Sequence, residues 1–157
     1  MIRLRGVEMT DLDALLAIDR QCFPPGIAYS RMELRFYLNH PGSVSMLAED
    51  DATGEIAGFV IAEVQLQKGL PVSHIVTIDV LSSSRRHGIG RLLMDVVLIQ
   101  LGEAGTKVVR LEVAADNEIA QAFYREFGFT PAGRIRGYYM GKLDALVMEK
   151  RLSGLMR

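Results

Sequence analysis

Between residues 72 and 113 the spacing of apolar residues changes twice. "PVSHIVTIDVL" is dominated by β-branched residues and reads as a strand. "IGRLLMDVVLIQLGEAG" shifts to helical spacing, with Leu92, Leu93, Val96 and Val97 on its apolar side and a glycine at its end. "KVVRLEV" then returns to a strand. Two strands joined through a helix must run parallel, because a tight hairpin is no longer available to them. A mixed α/β domain follows from this unit alone.

The flanking segments extend it. "IRLRGV" alternates and predicts a first strand. Thr10, with Asp13 three residues on, offers an N-cap for the helix "DLDALLAIDRQ". "CFPPGIAY" is loop, since adjacent prolines and a glycine cannot continue a helix. Ser30 and Glu33 form a capping box that opens "RMELRFYLN", which "HPG" stops. "SVSMLAED", the turn "DATG" and "EIAGFVIAEVQL" predict an antiparallel hairpin. "NEIAQAFYREFG" is a helix ending in glycine, and "PAGRIRGYYM" with "DALVMEKRL" closes the chain as another hairpin. The predicted order is β-α-α-β-β-β-α-β-α-β-β. No repeat or linker interrupts it, so residues 1–157 read as a single domain.

Composition narrows the function classes. A net charge of -1 supplies no global basic field, so neither nucleic acid nor anionic lipid is an expected partner. No apolar run is long enough to span a membrane, and the N-terminus lacks the apolar stretch of a signal peptide. Cys22 is the only cysteine, which excludes an internal disulfide and a multi-cysteine metal site. His40, His74 and His87 are scattered without ligand spacing, so no metal is expected. A cytoplasmic protein is the expectation.

"SRRHGIGR", residues 84 to 91, lies between the first of these strands and the helix. A helix start presents unpaired N–H groups and roughly half a positive charge, and Gly88 and Gly90 let the backbone approach an anion closely. Arg85, Arg86 and Arg91 add charge, and His87 could assist. A phosphate or diphosphate suits such a turn. The GxxxxGK of a nucleotide-hydrolysing P-loop is missing, and only GxG of the dinucleotide fingerprint is present. A plain turn with solvated arginines fits the residues equally well.

Here the residues carry a likeness. "RRHGIGRLLM" after an apolar strand resembles the R/Q-x-x-G-x-G/A motif of the GNAT superfamily of acyl-CoA-dependent N-acetyltransferases. "LEVAADNEIAQAFYREFGF" and "RIRGYYMGKLDALVMEK" resemble the second half of the same core. The likeness is greatest to bacterial ribosomal-protein alanine N-acetyltransferases and related protein N-terminal acetyltransferases. It implies the GNAT fold, a mixed and mostly antiparallel sheet with a central parallel strand–helix–strand core that binds acyl-CoA. It implies acetyl-CoA as cofactor, with the diphosphate on backbone amides from about Arg86 through His87, Gly88, Ile89 and Gly90 to Arg91. The strand Ile78, Asp79, Val80 would pair with the pantetheine arm. Asp79 stands where the family commonly has a small or apolar residue, so its side chain is expected toward the substrate side.

Glu112 lies within the apolar strand "VVRLEV", where a carboxylate is costly unless hydrated, paired or functional. Alternation puts it on one face with Arg110, so an i, i+2 ion pair is one explanation. The resemblance implies another, a general base acting through water. Tyr124 and its neighbours Phe123 and Phe127 have the spacing of core aromatics. The resemblance makes Tyr124 the general acid at the thioester sulfur. Asn117 reads as an N-cap, and in the family its counterpart also contacts the cofactor.

Tyr138 and Tyr139 form a pair in the last hairpin, which cross-strand packing alone can explain. The resemblance implies that they wall a peptide slot together with Phe23 and Tyr29. Two extra residues between Pro and Tyr depart from the family's F-P-x-x-Y pattern. The implied reaction is direct transfer in a ternary complex to a primary amine, foremost the N-terminal α-amine of a protein or peptide such as a ribosomal protein. A lysine side chain or a small-molecule amine is the alternative acceptor, and a non-catalytic acyl-CoA sensor a third reading. Cys22 has no neighbouring base in sequence to make it an acyl-enzyme nucleophile. A monomer or a homodimer is expected.

Overall fold

Local pattern becomes structure in the predicted order over residues 1–85 and 87–152, those the computed structural model describes. The strands are β1 (Ile2–Gly6), β2 (Ser43–Asp50), β3 (Ile56–Gln67), β4 (Leu70–Val80), β5 (Val108–Ala114), β6 (Thr130–Tyr139) and β7 (Leu143–Arg151). The helices are α1 (Leu12–Cys22), α2 (Arg31–Asn39), α3 (Ile89–Glu103) and α4 (Glu118–Glu126). One seven-stranded sheet runs in the order β1-β2-β3-β4-β5-β7-β6. Its pairs are antiparallel except β4–β5, which is parallel as the intervening α3 requires. Among the described residues no helix is long and apolar enough to cross a membrane.

Helices cover both faces of the sheet. Phe59 and Ile61 of β3 pack with Leu15, Leu16 and Leu34 of α1 and α2. Val60 and Ala62 point the other way, onto Leu93, Met94 and Val97 of α3. This double cover explains why "AGFVIAEV" is nearly continuous in apolar residues rather than alternating. Phe59, Leu15, Leu34 and Ile61 are fully buried, each contributing on the order of 2 kcal/mol through burial.

Capping at the two N-terminal helices follows different routes. Ser30 and Glu33 form the reciprocal box at α2, with Glu33 N–H donating to Ser30 Oγ at 3.1 Å and Ser30 N–H to Glu33 Oε1 at 2.9 Å. Thr10 does not cap α1. A short 3-10 turn, Met9–Asp11, precedes that helix, and Glu8 N–H donates to Asp11 Oδ2 at 2.7 Å. Asp11 is fixed in turn by Arg5, at 2.9 and 3.0 Å. That carboxylate, charged and doubly held, starts the turn earlier than the Thr10 hydroxyl could. Asp13 instead pairs with Arg31 at 2.5 Å.

The feature that positions the site is a divergence of two strands. β4 and β5 pair only from Val72 to His74 against Val108 to Arg110. Past that point β4 runs on to Val80 and β5 to Ala114 without pairing to each other. β4 stays attached to β3 on its far side, with a one-residue bulge at Val76 that bends it. The result is a notch with an open strand edge on its β4 side.

Candidate active site

Glu112 stands on β5 just where the two strands part. Its Oε1 lies 2.7 Å from Nε2 of His74, the last β4 residue still paired to β5. His74 Nδ1 lies 3.7 Å from Glu63 Oε1, on the β3 residue directly opposite. Three strands thus contribute one side chain each to a carboxylate–imidazole–carboxylate row, which among the described residues is not a metal-ligand cluster. Burial alone would lower the His74 pKa. The Glu112 hydrogen bond and charge, with those of Glu63, outweigh it and raise the imidazole above its ordinary value. Arg110 does not form the ion pair with Glu112. It reaches across to Glu149 on β7, its register partner, at 2.7 Å. His74 and Glu63 therefore join the site without having been read from sequence as part of it.

Tyrosines surround this row. Tyr138 and Tyr139 meet edge to face, with ring centroids 4.9 Å apart. Burial and the Glu112 charge raise the phenol pKa of both, and burial raises that of Tyr29, helped by Tyr37, Tyr138, Tyr139 and Glu112. Tyr29 is anchored at its tip, where its hydroxyl donates to the Val76 carbonyl at the bulge, 3.1 Å away. Tyr124, on α4, is raised by burial and then by Asp79 and Tyr139. Tyr29, Tyr124, Tyr138 and Tyr139 therefore remain neutral hydroxyls at neutral pH. Phe23 and Tyr29 line a shallow depression with Pro25 and Ala28 on the loop between α1 and α2.

The glycine-arginine turn sits at the far end of β4. Gly88 caps α3 with φ +77°, and the space where a Cβ would stand is open. Leu92 N–H makes the first bond into the helix, to Gly88 O at 3.0 Å. The N–H groups of Ile89, Gly90 and Arg91 therefore have no acceptor within the helix. Ile89 is buried in the core and holds the turn in place, while His87 is exposed. Asn117 caps α4 as its residue type predicts, accepting from Ala120 N–H at 3.1 Å.

Residues 12–129 match the acetyltransferase (GNAT) family. The chain belongs to the GNAT family of acetyltransferases. Among relatives, the N-alpha-acetyltransferase of Sulfurisphaera tokodaii is 30% identical, covering 96% of this chain and 93% of that protein. The ribosomal protein bS18-alanine N-acetyltransferase of Escherichia coli K12 is also 30% identical, over 98% of this chain and 99% of that one. The crystal structure of Arabidopsis thaliana NAA60 in complex with acetyl-CoA has a TM-score of 0.84 at 26% identity, covering 98% of this chain and 100% of that one.

Within this GNAT framework several side chains behave differently from what their sequence positions predict. Arg91 turns away from the helix start, bonding Glu126 at 2.8 Å and lying 5.2 Å over the Phe127 ring. Arg85 folds back, its Nε donating to Val80 O at 3.0 Å. Among the described residues, what the turn presents is chiefly backbone N–H. Arg86 lies outside the described residues. Ile78 and Val80 are half-buried on β4, and Asp79 between them is 1% exposed. The Asp79 carboxyl lies beside Asp19 of α1 and accepts from the Thr77 hydroxyl at 2.5 Å. The Cys22 thiol points to Val80 O at 3.5 Å, and burial followed by the Asp79 charge pushes its pKa up, which makes it a poor nucleophile.

Proposed function

We propose that this acetyltransferase moves the acetyl group of acetyl-CoA directly to the N-terminal α-amine of a protein or peptide, with both substrates bound at once. The observation that carries this reading is the placement of Glu112 at the base of the notch, bonded to His74 and walled by Tyr29, Tyr138 and Tyr139. The names of its relatives, which act on protein N-termini including ribosomal protein bS18, support the acceptor class.

The chain's own groups fit the cofactor. The free edge of β4 around Ile78, Asp79 and Val80 can pair with an extended amide-bearing arm, as an added strand does. The N–H groups of Ile89, Gly90 and Arg91, unpaired among the described residues, suit a diphosphate with His87 and Gly88 beside them. Asn117 at the start of α4 and Arg85 just past β4 are further candidates to contact it. Bound there, acetyl-CoA supplies an activated acetyl thioester.

The protein's part is proton handling and alignment. An α-amine has a pKa of about 7.7 to 8.0, against about 10.4 for lysine, so one carboxylate suffices to deprotonate it near neutral pH. Glu112 accepts that proton through water, and His74 fixes the orientation of its carboxylate. Tyr124, kept protonated by burial, holds the proton that a departing thiolate needs. The tyrosine walls admit an extended chain with its amine leading. A reduced lone cysteine and a ribosomal acceptor both fit work in the cytoplasm.

Thiol release from acetyl-CoA with a panel of N-terminal peptides tests the reading. Turnover on α-amines is expected, and mass spectrometry that locates the acetyl group on ε-amines alone overturns the acceptor class. Glu112→Gln and Tyr124→Phe should each lower kcat by about 10²-fold or more while calorimetry shows acetyl-CoA still bound. Variants that retain full turnover would remove these two residues from the chemistry.

A further inference from the structure

Two aspartates lie buried behind the site in a contact that the proposed chemistry does not use. Asp19 of α1 is 0% exposed and Asp79 of β4 is 1% exposed. Each is satisfied at one oxygen only. Tyr29 N–H donates to Asp19 Oδ2 at 2.7 Å, and the Thr77 hydroxyl donates to Asp79 Oδ1 at 2.5 Å. Asp19 Oδ1 and Asp79 Oδ2 have no donor among the described residues, although the two carboxyls stand within hydrogen-bonding reach of each other.

The surroundings do not resolve this. On α1 the other titratable neighbour is Cys22, and on α4 it is Tyr124, both uncharged at neutral pH. Arg85, beyond β4, is the one cation acting on Asp79 among the described residues, but its side chain is exposed and bonded to Val80 O. Two ionised carboxylates touching in an apolar interior would repel, and each would carry a desolvation cost of about several kcal/mol. A single proton removes the repulsion and supplies the missing donor.

We infer that Asp19 and Asp79 share one proton at neutral pH, and that this O–H···O bond positions the acceptor-binding loop on the cofactor-binding strand. The two ends of the link are explicit. Asp19 Oδ2 holds the backbone of Tyr29, whose hydroxyl reaches the β4 bulge at Val76 O. Asp79 lies in the β4 segment that offers its edge to the cofactor. Burial, then the bond to and charge of Asp19, raise the Asp79 carboxyl well above its ordinary value, against the pull of Thr77 and Arg85. Loss of the proton at alkaline pH leaves two facing anions and pushes the Tyr29 loop off β4. The pair touches no substrate atom; it is a positioning device. Its effect on turnover rests on the function proposed above, whereas the shared proton does not.

Carboxyl ¹³C NMR of aspartate-labelled protein tests the proton directly, with Asp79→Asn identifying the signal. One carboxyl of the pair should stay protonated at pH 7, and two ordinary carboxylates at that pH would overturn the inference. Tyr29 amide exchange reports the loop without any substrate. Beyond the intrinsic rise of exchange with pH, Tyr29 should lose protection in the wild type at alkaline pH but not in Asp19→Asn, whose amide donates permanently to Asp79. With peptide acceptors, the ratio of the wild-type KM to that of Asp19→Asn should rise at alkaline pH, since the ratio cancels the titration of the amine itself. Asp19→Ala should raise KM about tenfold at every pH by leaving Asp79 without its partner, with kcat little changed. Equal behaviour of Asn and Ala would reduce the pair to a structural contact. If no peptide is acetylated, the NMR and exchange results still decide the inference, and only the proposed function fails.

Discussion

The imidazole of His74 has a carboxylate on each side, Glu112 at 2.7 Å and Glu63 at 3.7 Å. Burial favours the neutral ring, the two carboxylates favour the cation, and together they raise the pKa above its ordinary value. A base whose folded pKa exceeds its unfolded value stabilises the fold fully below the unfolded value of about 6.5. That contribution is lost as pH rises through the folded pKa. The stability advantage of the wild type over His74→Gln should therefore shrink as pH is raised from about 6.5. Urea unfolding across a pH series measures it, and a difference that stays constant through that window refutes the charged ring. The same protonation tempers Glu112 as a base, so the form with a neutral His74 should be the better catalyst.

β4 carries most of what the site needs, and Gly58 on β3 is what lets it lie where it does. A Cβ at Gly58 would stand 2.6 Å from Asp79 O and 3.2 Å from Val80 Cα. Both obstacles are backbone, so neither can rotate aside. Gly58→Ala should cost about 1–3 kcal/mol and lower Tm by roughly 2–4 °C for each kcal/mol. It should also weaken acetyl-CoA binding, because the strand edge moves. Gly133→Ala, where a Cβ meets nothing within 4 Å, is the control. Equal melting temperatures for the two variants would show that β4 is not held so tightly. The order of strands and helices was legible beforehand, because period and capping residues such as Ser30 and Glu33 act within a few positions. The parallel pair was legible because α3 must separate its strands. The partners of Glu112, Arg110 and Asp79 were not, since each depends on which residue of another strand or helix lies opposite. His74 is 38 positions from Glu112, and nothing in either local sequence sets that register.

The two faces of the sheet divide the labour, and the notch between β4 and β5 is where they meet. α3 begins at the glycine-arginine turn on one side, while α1, α2 and their loop close the other. That loop meets the turn between β6 and β7 at Gly26, where a Cβ would fall 2.0 Å from Met140 Sδ and 2.9 Å from its Cγ. Gly26 also has φ +92°, a conformation that costs other residues about 1–2 kcal/mol. The contact joins the two segments whose tyrosines, Tyr29 and Tyr138–Tyr139, wall the proposed peptide slot. Gly26→Ala must displace the exposed Met140 side chain from its place beside this loop. The peptide KM should then rise, and acetyl-CoA affinity should not, because no cofactor-facing element is disturbed. Met140→Ala in the same chain removes the obstacle while leaving the backbone strain. In a double-mutant cycle the pair should recover much of the peptide KM yet keep the stability loss of Gly26→Ala. Recovery of neither quantity would mean that strain in the loop, not the contact, sets the width of the slot. Recovery of both would mean that the left-handed backbone at Gly26 is cheap, and that Met140 alone holds the two walls at their spacing.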